Sequence, residues 1–94
     1  MHITKVILAC NNHPEYLPFW PIISKIWKIR FNIDPILFFI DDEESKDVEI
    51  DETYGKVIRY KSLENIPTSY QSQAIRLLAP CLYPNDVVMI SDID

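Results

Sequence analysis

The sequence predicts an α/β fold: a doubly wound, mostly parallel sheet in the strand order 3-2-1-4, with helices on both faces. Residues 36–40 and 87–90 are apolar at every position, as strands covered on both faces are. Amphipathic stretches of helical periodicity alternate with these strand-like runs. Right-handed crossovers then give this strand order as the simplest arrangement. A chain of 94 residues holds one such domain.

The first strand and the first helix are predicted from the N-terminal third of the chain. Residues 5–10 (KVILAC) form a short apolar run, and the turn-forming residues 11–14 end it. A helix is expected over residues 18–31, with two prolines near its start. One apolar stripe at helical spacing is expected to face the core, widened by two tryptophans; it consists of Phe19, Ile22, Ile23, Ile26 and Ile29, with Trp20 and Trp27 beside it.

The second half of the chain repeats the alternation. Residues 56–60 (KVIRY) alternate in polarity like a strand nearer the edge of the sheet. Thr68 and Gln71 fit a capping box that begins a second helix, and Pro80 ends or kinks that helix. Residues 87–90 form the fourth strand. The apolar stripe expected to bury the second helix is Tyr70, Ala74, Leu77, Leu78 and Cys81.

Composition excludes several kinds of site. Since Gly55 is the single glycine, neither a Walker A loop nor a dinucleotide fingerprint can be present. Cys10 and Cys81 lie far apart with no C-x-x-C pattern, so two buried free thiols are expected rather than a zinc site. No basic stripe is visible, and no nucleic-acid partner is expected. The acid-rich run 41–52, in a chain of net charge −5, is expected to be a solvated loop.

The sequence also lacks the signals of membrane insertion and secretion. No apolar run approaches the roughly 18–20 residues that a membrane-spanning helix needs. The first residues have neither the apolar run nor the cleavage site of a signal peptide. We therefore expect a cytoplasmic protein with no transmembrane segment.

Polar residues follow three strands at the predicted carboxyl edge of the sheet. The order in which the chain adds strands reverses between strands 1 and 4. Sheets of this kind bind ligands outside the carboxyl ends of the strands at that point. Asp92 and Asp94 directly follow strand 4, and their spacing lets both carboxylates address one hard cation such as Mg²⁺ or Mn²⁺. A metal–diphosphate site is expected there. The other polar residues leaving strands at this edge are Asn11, Asn12, His13, Asp41 and Asp42.

A buried strand leading into Asp92-Ile93-Asp94, after a helix with a polar stripe, resembles the nucleotide-binding half of the GT-A glycosyltransferases. The apolar first strand, the polar turn 9–13 and the long helix that follows match the same pattern. The resemblance implies a Rossmann-like half of a GT-A fold that binds a nucleotide-diphospho-sugar, with a UDP-sugar favoured, and transfers the sugar to a glycan, protein or lipid acceptor that the sequence does not identify. It also implies Mn²⁺ or Mg²⁺ as cofactor.

The resemblance further assigns roles to individual residues. Asp92 and Asp94 would hold the metal and engage the nucleotide diphosphate, and Arg76 would face the diphosphate or the sugar. The other implied nucleotide-sugar contacts are Asn11, Asn12 and His13 at the base and ribose, Asp41 or Asp42 at the base edge, and Gln73, which shares one helical face with Ser69, Ser72 and Arg76.

The catalytic residues of such enzymes lie beyond the D-x-D motif, so none is assigned. We expect residues 1–94 to be one nucleotide-sugar-binding subdomain, the N-terminal part of a larger transferase. Two other functions stay open. In a haloacid-dehalogenase-like phosphatase Asp92 would be the nucleophile and Asp94 the acid/base, although that motif normally opens the fold. A non-catalytic α/β binding domain would show no metal-dependent nucleotide binding.

Overall fold

The computed structural model describes residues 3–11, 17–41, 48–63 and 65–91. These residues form a sheet of four strands: β1 (Ile3–Asn11), β2 (Asp34–Asp41), β3 (Lys56–Lys61) and β4 (Val87–Ile90). All neighbouring strands pair in parallel, and their order is β3-β2-β1-β4. The predicted α/β class and the strand order 3-2-1-4 are therefore confirmed.

Two helical segments connect these strands. Helix α1 (Trp20–Lys25) follows a 3₁₀ turn (Leu17–Phe19) and continues into a π-helical turn (Ile26–Arg30). Helix α2 (Thr68–Leu78) continues into a 3₁₀ turn (Ala79–Leu82), which contains the expected terminator, Pro80. In the described parts of the chain, no helix is long and apolar enough to span a membrane.

The sheet separates two cores, one on each face. Alternate residues of a strand point to opposite faces, so β1 and β2 contribute to both cores. The α1 side buries the larger cluster, and the α2 side buries the smaller one. Helices therefore cover both faces, as predicted. The α1 core contains Val6, Leu8, Cys10, Trp20, Leu37 and Phe39, and the α2 core contains Ile7, Ile36, Phe38 and Ala79.

The face of α1 that packs on the sheet differs from the predicted one. Trp20 and Ser24 are buried, and Ile23 and Trp27 pack against the same core. The indole N–H of Trp20 donates to the Asp51 carbonyl oxygen at 2.6 Å, so this tryptophan buries its large ring without leaving its N–H unsatisfied. Of the predicted stripe only Ile23 faces the core, while Phe19, Ile22, Ile26 and Ile29 are exposed.

Helix α2 also turns a different face to the sheet. Ser72 and Ala79 are buried, and Ile75 packs against the α2 core. Two of these three side chains are small, which lets the helix lie close to β1 and β2. The stripe expected to be buried is exposed instead, namely Tyr70, Ala74, Leu77, Leu78 and Cys81.

The single glycine is needed for close packing. A Cβ atom built on Gly55 would lie 2.7 Å from the Pro35 carbonyl oxygen and 3.0 Å from the Trp20 ring. Both neighbours belong to the core side of the sheet, so Gly55 lets the segment before β3 pass over the buried tryptophan.

The two thiols differ in their surroundings. Cys10 is buried, whereas Cys81 is exposed, which corrects the expectation that both are buried. Burial raises the pKa of the Cys10 thiol to about 12, so this side chain stays protonated and behaves as a small apolar group.

Candidate functional site

The carboxyl edge of the sheet brings the end of β1 to the start of α2. The Asn11 amide nitrogen donates to the Thr68 hydroxyl oxygen at 2.8 Å, and both residues are half-buried. Asn11 is the last residue of β1, and Thr68 is the first of α2. In the order β3-β2-β1-β4, successive strands are added on one side of β1 up to β3 and then on its other side at β4, so Asn11 lies at the topological switch point.

The N-terminus of α2 is not closed by the predicted capping box. Pro67 is the N-cap residue, and its carbonyl oxygen accepts the backbone N–H groups of Tyr70 and Gln71. Instead of reaching back to the cap, the Gln71 side chain binds the preceding loop. Its Nε2 donates to the carbonyl oxygens of Leu63 and Ile66, and its Oε1 accepts the Leu63 N–H. Gln71 thus fixes the loop that leads into the helix.

The polar stripe expected on α2 divides between two environments. Ser72 is buried against the sheet, and Arg76 is half-buried with its Nε atom inaccessible to solvent. Gln73 is exposed. The stripe therefore splits, with Ser72 buried, Arg76 half-buried and Gln73 exposed to solvent.

Asp41 ends β2 in an ion pair that the sequence did not reveal. Arg59 of β3 donates from Nε to Asp41 Oδ2 at 2.9 Å and from a terminal nitrogen to Asp41 Oδ1 at 2.6 Å. A second terminal nitrogen of Arg59 donates to the Val48 carbonyl oxygen, and the guanidinium lies 5.1 Å from the centre of the Phe39 ring. These bonds to Asp41 raise the pKa of Arg59 above its usual range.

Asn11 and Asp41 do not converge on one crevice. Asp41 lies on the same face of β2 as Leu37 and Phe39, which belong to the α1 core. Asn11 lies on the opposite face of the sheet, where it contacts α2. A nucleotide base at Asp41 would have to share this carboxylate with Arg59.

Several predicted site residues lie outside the described part of the chain. They are Asn12, His13, Asp42, Asp92 and Asp94, together with the side chain of Ser69. The described chain reaches Ser91, whose N–H donates to the Ile7 carbonyl oxygen at 3.0 Å and continues the pairing of β4 with β1. Within the described residues, no three His, Cys, Asp or Glu side chains are grouped closely enough to hold a metal ion.

An apolar groove of about 470 Å³ lies beside this edge, between α2 and β3. The loop held by Gln71 forms one wall, and the exposed rings of Tyr60 and Tyr70 line the opening. Among the described residues that line the groove, Lys61 is the one that carries a charge. Sequence reasoning missed the groove because it assigned the α2 stripe to the core. A second, smaller cavity of about 270 Å³ includes Lys5, Asp34 and Gly55 and lies towards the amino ends of the strands, away from the switch point.

Comparisons with protein-family models, with curated proteins and with solved structures found no match to this chain. A function is therefore inferred from the fold and from the contacts at the carboxyl edge of the sheet.

Proposed function

We propose that this chain is the donor-binding part of a metal-dependent glycosyltransferase of the GT-A type, and that it binds a nucleotide-diphospho-sugar, with UDP-sugars favoured. The observation that carries this proposal is the parallel order β3-β2-β1-β4, which makes the carboxyl ends of β1 and β4 a switch point. Asn11 lies there at the end of β1, and the D-x-D residues follow β4 directly in the sequence.

The residues on the α2 face suit a polar, anionic ligand. Asn11 and Thr68 supply an amide and a hydroxyl that can exchange their mutual hydrogen bond for bonds to a ribose or a base. Arg76 lies on the same helix, eight residues beyond Thr68, and its permanent positive charge would attract the diphosphate. Because the chain has a single glycine, side chains rather than a glycine-rich loop would hold the phosphates.

Asp92 and Asp94 would hold the Mn²⁺ or Mg²⁺ ion. Hard divalent cations prefer oxygen ligands and share their coordination with substrate phosphates. A metal bound there would neutralise negative charge on the leaving nucleotide diphosphate. The remaining ligands, the acceptor and the catalytic base are not assigned to any residue of this chain.

Calorimetric titration of UDP and GDP, each with and without Mn²⁺, tests the proposal on the wild type and on Asp94→Asn. Asp34→Asn is the matched control, since it removes the same charge at the amino end of β2, where the side chain is exposed. The proposal predicts Mn²⁺-dependent binding of UDP that Asp94→Asn abolishes and Asp34→Asn retains. Equal binding by both variants, or no binding by a chain whose circular dichroism shows it to be folded, would contradict it.

A non-catalytic α/β binding domain is the second candidate. The apolar residues left exposed on both helices favour it, because large exposed apolar patches commonly mark interaction surfaces. In that case UDP and GDP would not bind with or without metal, and Asp92→Asn would leave the affinity for any partner unchanged.

A further inference from the structure

We draw no further inference here: the strongest candidate, the apolar groove of about 470 Å³ between α2 and β3, carries none because nothing in the structure shows what covers it.

Discussion

The amide of Asn11 and the hydroxyl of Thr68 are joined by a hydrogen bond of 2.8 Å across 57 positions of sequence. This contact ties the carboxyl end of β1 to the first turn of α2. The two residues are close in space but far apart in the chain, so their hydrogen bond requires α2 to be packed on the sheet. It also places two polar groups at the switch point, where a ligand can compete for them.

The Asn11–Thr68 contact is expected to contribute modestly to stability. Asn11→Ala and Thr68→Val each remove one partner, and the double variant removes both. A double-mutant cycle from urea unfolding should give a coupling free energy of about 0.5–1.5 kcal/mol, the usual range for a hydrogen bond in a partly solvated place. A coupling free energy near zero would mean that the two side chains do not bind each other in solution.

Gly55 is expected to resist substitution by even a single methyl group. Gly55→Ala would press a Cβ against the Pro35 carbonyl oxygen and the Trp20 ring, at 2.7 and 3.0 Å. Overpacking of this kind costs roughly 1–3 kcal/mol of unfolding free energy. Comparing the urea unfolding of Gly55→Ala with that of the wild type measures the cost. The packing around Trp20 would be wrong if Gly55→Ala were as stable as the wild type.

The two thiols are expected to react at very different rates. Since burial raises the pKa of Cys10 to about 12, almost no thiolate exists there near pH 8. Cys81 is exposed and accessible to reagent. A thiol-specific reagent should label one thiol rapidly in the folded chain and both after unfolding in urea. Cys81→Ser should remove the rapid phase, while Cys10→Ser should leave it intact; rapid labelling of Cys10 would contradict its burial.

Acid is expected to weaken the contact between β4 and β1. Hydrogen bonds from Lys5 and Thr4 hold the pKa of Asp86 below its usual range. A carboxyl whose pKa is lower in the folded state stabilises the fold above its unfolded pKa of about 3.9, and that contribution is lost as the pH falls through the folded value.

The measurement compares urea midpoints of the wild type and Asp86→Asn. The difference between them should be present at pH 6 and should shrink as the pH falls below about 4. Glu49→Gln, at an exposed acidic position, serves as the control. A difference that stays constant over this pH range would show that the carboxylate of Asp86 is not stabilised by its partners.

The strands were predictable because each is marked by a run of consecutive residues in the sequence. Runs that are apolar at every position are typical of a strand covered on both faces, and β2 is buried at residues 35–40. The same pattern predicted the position of β4 but not its burial, because β4 lies at the end of the observed order and leaves Val87 and Ile90 exposed. The observed strands extend the predicted ones by up to two residues at their ends. The left-handed backbone at Asn32, with φ of 53°, and the bond from Ile33 N–H to the Trp27 carbonyl oxygen mark where the first helical segment gives way to β2.

The helix faces were not predictable from periodicity, because both helices are apolar on more than one side. In α1, the isoleucine row and the tryptophan side are both candidates for burial, and Trp20 occupies the core because Gly55 makes room for it and Asp51 accepts its N–H. On the other face, two small residues, Ser72 of α2 and Ala79 of the 3₁₀ turn after it, allow close approach to the sheet. Which face of each helix is buried therefore depends on residues remote in sequence. The pairing of Arg59 with Asp41 also joins residues remote in sequence.

The place where a nucleotide binds is tested most directly by NMR, using Mn²⁺ as a paramagnetic probe. With UDP present, substoichiometric Mn²⁺ should selectively broaden the backbone amide signals of Asn11, Thr68 and Ser91, at the carboxyl edge of β1 and β4, and spare those of Lys5, Lys56 and Val87 at the amino ends. Without UDP this pattern should be weaker. Broadening centred on the amino ends, or a pattern that does not depend on UDP, would contradict nucleotide binding at the switch point.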